Sequence, residues 1–170
     1  MGGPWNLVVV AAVLMSACSQ PDGPAAATVP TVVETNAVLV RVVDGDAVVV
    51  DIAGQRETVR LIGIDTPETV KPNSPVECYG PEASAFTKHL LPAATPLRLV
   101  RDVEARDDYG RLLAYVYTSS DGSFVNLEIV RRGFATLLTF PPNIAHVDEF
   151  VDAARSAQQA NLGLWAGCSG

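Results

Sequence analysis

The sequence predicts an α+β domain, a small five-stranded Greek-key barrel with about three helices packed on it. Three observations carry this expectation. Apolar, β-branched runs bounded by turn signals fill the stretch from Ala37 to Ile64. Helical periodicity starts only after Gly80 and returns twice toward the C-terminus. Two more strand-like runs fall between those helices, bringing the strands to five. A chain of 170 residues is long enough to bury one sizeable core.

The elements follow in order. In the first strand Val38, Val40 and Val42 alternate with Leu39, Arg41 and Val43, and Asp44-Gly45-Asp46 is a turn signal. Ala47 to Ile52 is the second strand, with Ala53-Gly54-Gln55 as the hairpin turn. Glu57 to Ile64 is the third, with Val59, Leu61 and Gly63 on one face. Glycine there lets the backbone curve or pack closely. Gly80-Pro81-Glu82 opens a helix, because proline suits the first turn and Glu82 complements the dipole. Ala83, Phe86 and Leu90 share its apolar face, and Pro92 stops it. Pro96 to Asp102 and Leu112 to Tyr117 are the fourth and fifth strands, the latter closed by Asp121-Gly122. A short helix over about Val125–Arg132 ends at Gly133. Arg131 and Arg132 there complement the dipole. A last helix over about His146–Ala160 buries Val147, Phe150, Val151 and Ala154, with Gly163 beyond its end.

The flanking segments set the compartment. Residues 1–17 read as an export signal, since the apolar run Leu7–Leu14 is too short for a comfortable membrane span. Met15-Ser16-Ala17-Cys18 resembles a bacterial lipoprotein processing site, which makes Cys18 a lipidation candidate. An ordinary secretory signal with an incidental cysteine is the alternative. Residues 18–36, rich in Pro, Ala and Thr, read as a flexible linker, and 37–170 as the folded domain. The expected location is a lipoprotein on the cell membrane, or otherwise a secreted protein. Three cysteines are an odd number. With Cys18 lipidated, Cys78 and Cys168 remain to pair in an oxidising place. Closing so long a loop stabilises by about 4–5 kcal/mol in the entropy model. Neither His89 nor His146 has ligand spacing to these cysteines, so zinc finds no support. A net charge of −7 argues against sequence-independent coating of DNA.

Chemistry collects at strand ends. Asp44-Gly45-Asp46 ends one run, Arg60-Leu61-Ile62-Gly63-Ile64-Asp65-Thr66-Pro67-Glu68 closes the next hairpin, and Tyr109-Gly110-Arg111 opens a later strand. Asp46 and Asp65 can hold a hard cation through oxygen. Glu68 can orient or deprotonate a water. Arg60 and Arg111 can neutralise charge building on phosphorus. Each has a plainer reading. Asp44 and Asp46 suit a turn. Arg60 could be bridged to Asp51 or Glu57. Arg111 could be a surface arginine, and Tyr109 could stack on a nucleotide or pack beside the barrel.

Taken with Glu77, with Tyr79-Gly80-Pro81-Glu82-Ala83-Ser84-Ala85-Phe86 and with Leu162-Gly163-Leu164-Trp165, these blocks stand in the order of a known family. From about Ala37 to Trp165 the chain resembles staphylococcal nuclease (thermonuclease). The resemblance implies the OB-fold. It implies a monomeric, Ca²⁺-dependent hydrolase of DNA, with RNA as a second substrate, that attacks phosphorus with water and leaves 3′-phosphate ends. Asp46, Asp65 and the Thr66 carbonyl match the metal ligands, with Asp44 behind them. Glu68 matches the base or water-orienter, and Arg60 and Arg111 match the phosphate clamps. For substrate binding, Tyr109, Lys71 and Phe140 stand at the corresponding places. Phe140 lies where the family carries tyrosines, and Lys71 is a lone lysine between Thr69 and Glu77. Two other classes compete with this reading: a non-catalytic OB-fold module binding nucleic acid or protein at the envelope, and a purely structural lipoprotein.

Overall fold

The computed structural model describes residues 1–3, 34–69 and 75–168. Cys18, Lys71 and most of the export signal and linker lie outside the described residues. Among the described residues, no helix is long and apolar enough to cross a membrane.

The expected barrel is present. Strands β1 (Ala37–Asp44), β2 (Ala47–Ile52) and β3 (Gln55–Leu61) form an antiparallel meander. The barrel closes in the order β1-β2-β3-β6-β5 with β5 (Pro96–Val100) and β6 (Leu112–Thr118). β3 and β6 run parallel, while the other neighbours are antiparallel. Leu39, Val48, Val50, Val59, Leu61, Leu97, Ala114 and Val116 fill the interior. Burying apolar surface of this kind contributes roughly 25 cal/mol per Å².

β1 departs from simple alternation. Its register slips between Leu39 and Arg41 and again between Val42 and Asp44. Such bulges bend a strand and redirect its side chains. Before the first slip Ala37 and Leu39 face the core and Val38 is exposed, whereas Val40, Val42 and Val43 at and beyond it are all half-buried.

The third expected strand breaks in two. Gly63 has φ +85° and begins β4 (Gly63–Asp65), which leaves the barrel and pairs with β7 (Thr136–Leu138). A Cβ at Gly63 would lie 2.3 Å from the ring of Phe150, so only glycine lets that ring close over the break. Asn126 stitches the break from inside. Its Nδ2 donates to the Ile62 carbonyl at 2.9 Å, and its Oδ1 accepts the Val116 N–H at 2.9 Å. A fully buried amide must find such partners. The consequence for function is direct, because the break carries Asp65 out of the barrel wall.

Among the described residues the barrel carries the three expected helices, α1 (Gly80–Leu90), α2 (Val125–Arg131) and α3 (Val147–Gln159), and a single further turn, α4 (Leu164–Gly167). The buried stripe of α3 is Phe150, Ala153 and Ala157. Of the expected Val147, Phe150, Val151 and Ala154, Phe150 is fully buried and the other three are half-buried, so the stripe centres on Ala153 and Ala157 instead. Cys78, just before α1, is joined by a disulfide to Cys168, just after α4, with Cα atoms 5.9 Å apart.

Candidate active site

The site begins at the turn between β1 and β2. The Gly45 carbonyl accepts the Thr87 hydroxyl of α1 at 2.7 Å, which fastens the turn to the helix. A Cβ on Gly45 would meet Thr66 Oγ1 at 2.6 Å, so the segment after β4 lies directly on this turn. Asp46 Oδ2 accepts the Thr66 N–H at 2.9 Å. Asp44 turns toward Thr69 instead, accepting its hydroxyl at 2.7 Å and its N–H at 3.0 Å. Asp44 thus holds the segment at Thr69.

Arg60 sits opposite Ala47 in the β2–β3 register, which brings it beside Asp46. Its Nη1 donates to the carbonyls of Leu61 and Ile64 at 3.0 and 2.8 Å. Its Nη2 donates to Asp65 Oδ1 at 2.8 Å and lies 3.2 Å from Asp46 Oδ2. Neither Asp51 nor Glu57 is its partner. Asp51 lies at the far end of the hairpin, where it accepts the Gly54 N–H, and Glu57 is bridged to Arg106. The partners are instead the two carboxylates read from the sequence as cation ligands.

The electrostatics of this cluster are uneven. Burial pushes the carboxyls of Asp46 and Asp65 above the usual range, and Arg60 only partly opposes it. Asp65 and Asp44 add repulsion at Asp46, and Glu77 adds it at Asp65. One guanidinium shared by two carboxylates leaves negative charge in excess. Thr66 Oγ1 is buried without a hydrogen-bond partner among the described residues. Glu68 lies two residues further along the chain, its Oε1 accepting the Thr69 N–H at 3.0 Å.

Among the described residues, no three His, Cys, Asp or Glu side chains converge on one metal position. The available donors are the two carboxylates and backbone oxygen. An oxygen-only, negatively charged set with under-compensated carboxylates fits a hard cation whose shell is completed by water.

Beyond Arg60 opens a cleft of about 320 Å³. Arg60, Gly63, Tyr109, Arg111, Leu138, Phe140 and Asn143 line it. Asp46, Asp65, Thr66 and Glu68 do not, so Arg60 is the residue common to cleft and carboxylates. Arg111 is anchored by Asp107, which accepts its N–H at 2.9 Å and its Nε–H at 2.7 Å. The guanidinium carbon lies 5.4 Å from the centre of the Tyr109 ring. Tyr109 is 87% exposed and Phe140 68% exposed, so neither packs beside the barrel.

Several residues lining the cleft were not singled out in the sequence, Asp107 and Asn143 among them. Asp107 stands four residues before Arg111, a spacing that can be read as a pair. Asn143 carries no such signal. Buried, it accepts the Glu104 N–H at 2.8 Å and donates to the Glu104 carbonyl at 3.1 Å. That double bond pattern joins the Phe140 segment to the loop leading to Tyr109.

Fold and rim together define an OB-fold protein with an arginine–carboxylate site. Known proteins make the class specific. The family model described as staphylococcal nuclease homologue matches residues 58–167. The thermonuclease of Staphylococcus intermedius is 40% identical over 163 residues, spanning 96% of this chain and 95% of that protein. The thermonuclease of Staphylococcus hyicus is 40% identical over 128 residues, 75% of this chain and 74% of that protein. Endonuclease YncB of Bacillus subtilis is 40% identical over 133 residues, 77% of this chain and 62% of that protein. The chain belongs to the staphylococcal nuclease homologue family, and with these relatives it is a phosphodiester-hydrolysing endonuclease.

Proposed function

We propose that this nuclease is Ca²⁺-dependent and cleaves DNA, and RNA as a second substrate, outside the cytoplasm. The observation that carries the reading is the position of Arg60, which joins a cleft containing a second arginine to a pair of under-compensated carboxylates. Asp46, Asp65 and the Thr66 carbonyl would hold the cation, which when bound polarises a phosphoryl oxygen. Glu68 orients or deprotonates the attacking water. Arg60 and Arg111 stabilise the charge that develops on the phosphorane oxygens, where fixed donors act most strongly. Asp107 takes the Nε edge of Arg111 and so aims the rest of its fork into the cleft. Tyr109 and Phe140 offer exposed rings on which bases can stack, and Lys71 a further positive charge. By the resemblance, the 5′-oxygen leaves and 3′-phosphate ends remain.

The test is plasmid cleavage by the purified protein with Ca²⁺ and with a chelator. Cleavage with Ca²⁺ that stops in the chelator is expected. Full activity of verified metal-free protein in the chelator would reject the Ca²⁺ assignment.

The same reading places a monomeric enzyme on the cell membrane through lipid on Cys18, after removal of residues 1–17, with 18–36 as its tether. Two acyl chains on one cysteine are what stable anchoring needs. Mass spectrometry of the mature N-terminus decides it. An unmodified Cys18, or cleavage elsewhere, leaves a plain secreted nuclease.

A further inference from the structure

Glu68 is held by one residue from both sides of its own backbone. Its N–H donates to Glu77 Oε2 at 3.0 Å, and its carbonyl accepts the Glu77 N–H at 2.9 Å. Glu77 is in turn at the head of a fastened segment. Cys78 follows it and carries the disulfide to Cys168. Tyr79 comes next, in a left-handed conformation with φ 68°, its ring stacked on Phe134 at 5.5 Å. A Cβ on Gly167 would lie 2.8 Å from that same ring, so the C-terminal turn α4 seats on Tyr79. A Cβ on Gly80 would lie 3.0 Å from the Glu68 carbonyl oxygen and 3.1 Å from that of Pro67. The start of α1 is therefore the floor beneath Glu68. The sequence already pairs Cys168 with Cys78, and from that bridge the contacts run through Glu77 to Glu68.

We infer that Glu77 is a positioning residue for Glu68, and that the Cys78–Cys168 bridge holds Glu77 in register for that task. The inference rests on the proposed role of Glu68. A left-handed tyrosine between the bridge and the helix is a conformation that its surroundings must impose. The bridge and the Tyr79–Gly167 contact impose it from the outside, and the double bond to Glu68 transmits it inward. Exposed Cys78 is open to a dithiol, which would take up the bridge as its own disulfide and leave two protein thiols. The fold would survive in its core, which the bridge does not touch, while Glu68 would lose its fixed place. Misplacement by about 1 Å can cost on the order of 10² in rate, so a partial loosening should cost about tenfold.

The experiment uses the full chain, oxidised, with steady-state kinetics and amide hydrogen exchange at Glu68 and Glu77. Glu77→Ala should lower kcat about tenfold with KM changed less than about twofold. Glu77→Gln keeps an acceptor for the Glu68 N–H but removes the charge directed at Asp65, and should recover most of kcat. Dithiothreitol, or Cys78→Ala with Cys168→Ala, should lower kcat in the same direction and speed exchange at both amides. In a Glu68→Gln background, Glu77→Ala should cost nothing further in kcat. Wild-type kcat in folded Glu77→Ala, or its full effect persisting in Glu68→Gln, overturns the inference. Wild-type activity of Glu68→Gln itself overturns the role of Glu68 instead. Exchange distinguishes the two failures, because it reads the brace without catalysis.

Discussion

Two arginine–carboxylate clusters meet the same strand, three residues apart. Glu57 and Arg106 form a closed pair, with bonds of 2.8 and 3.0 Å from both terminal nitrogens. The Arg106 hydrogen bond holds Glu57 below the usual carboxylate range, and Glu57 raises Arg106 in return. Each charge has found one partner, and both gain. Arg60 instead divides one nitrogen between Asp46 and Asp65, and burial pushes both carboxyls up. Each cluster joins an arginine to carboxylate and has one member on β3. What differs is stoichiometry and burial. A self-sufficient pair lies at the surface, whereas an under-compensated cluster lies half-buried beside a cleft. Perturbed carboxylates of the second kind collect at functional sites.

The sharpest way to break this comparison is to truncate the arginine of the open cluster. Arg60→Ala should slow turnover by about 10²–10³, the usual cost of removing one preorganised donor. Arg111→Ala should cost a similar factor, and the double variant less than the product, since both act on one transition state. Steady-state cleavage rates, with circular dichroism to confirm the fold, check this. A folded Arg60→Ala enzyme at wild-type rate would put Arg60 in the same class as Arg106.

One side of this contrast, the open cluster, was legible in the sequence, but not its pairing, and Arg106 was not singled out. Asp46, Arg60, Asp65 and Glu68 could be named because charged residues ending apolar strands are unusual. Val59 and Leu61 could be placed on one face by alternation. The pairing of Arg60 could not be read, because it depends on register and on a strand break. That break turns on Gly63 and on the buried amide of Asn126, far away in sequence. The three-residue β7 was missed for a related reason. Its strand identity comes from pairing with β4, not from its own pattern. The cysteine pair was found by counting, whereas the link from its neighbour Glu77 to Glu68 needed the fold.

Asp102 offers a milder test on the side of the self-sufficient groups. It accepts the Tyr115 hydroxyl at 2.9 Å and the N–H groups of Ala145 and Val103 at 3.0 Å each. Burial would raise its carboxyl, but the bonds from Ala145, Tyr115 and Val103 outweigh it and hold it low. A carboxyl depressed in the folded state releases its proton more readily than in the unfolded chain. Its stabilisation is therefore complete above the ordinary aspartate range and is lost as pH falls through the depressed value. Asp102→Ala leaves the buried Tyr115 hydroxyl short of its partner, which costs about 1–3 kcal/mol. Urea denaturation should show that loss near neutral pH and a smaller one in acid. An equal loss at both would mean that charge has no part in it.

The smallest effect should come from the closed pair itself. Glu57→Gln is a better probe than Arg106→Ala, because Arg106 also donates to the Gly110 carbonyl at 2.7 Å and lines the cleft. The substitution removes a charge but leaves an acceptor of similar shape opposite Arg106. Exposed pairs contribute little, since water and salt screen them and two side chains must be ordered. The melting temperature should barely move, and added salt should erase what difference there is. Turnover should stay near the wild-type rate, because the freed Arg106 is still steered by Gly110. A large rate loss in Glu57→Gln would show that the pair tunes the Tyr109–Arg111 turn. The boundary between the two clusters would then have to be drawn beyond Arg106 rather than at Arg60.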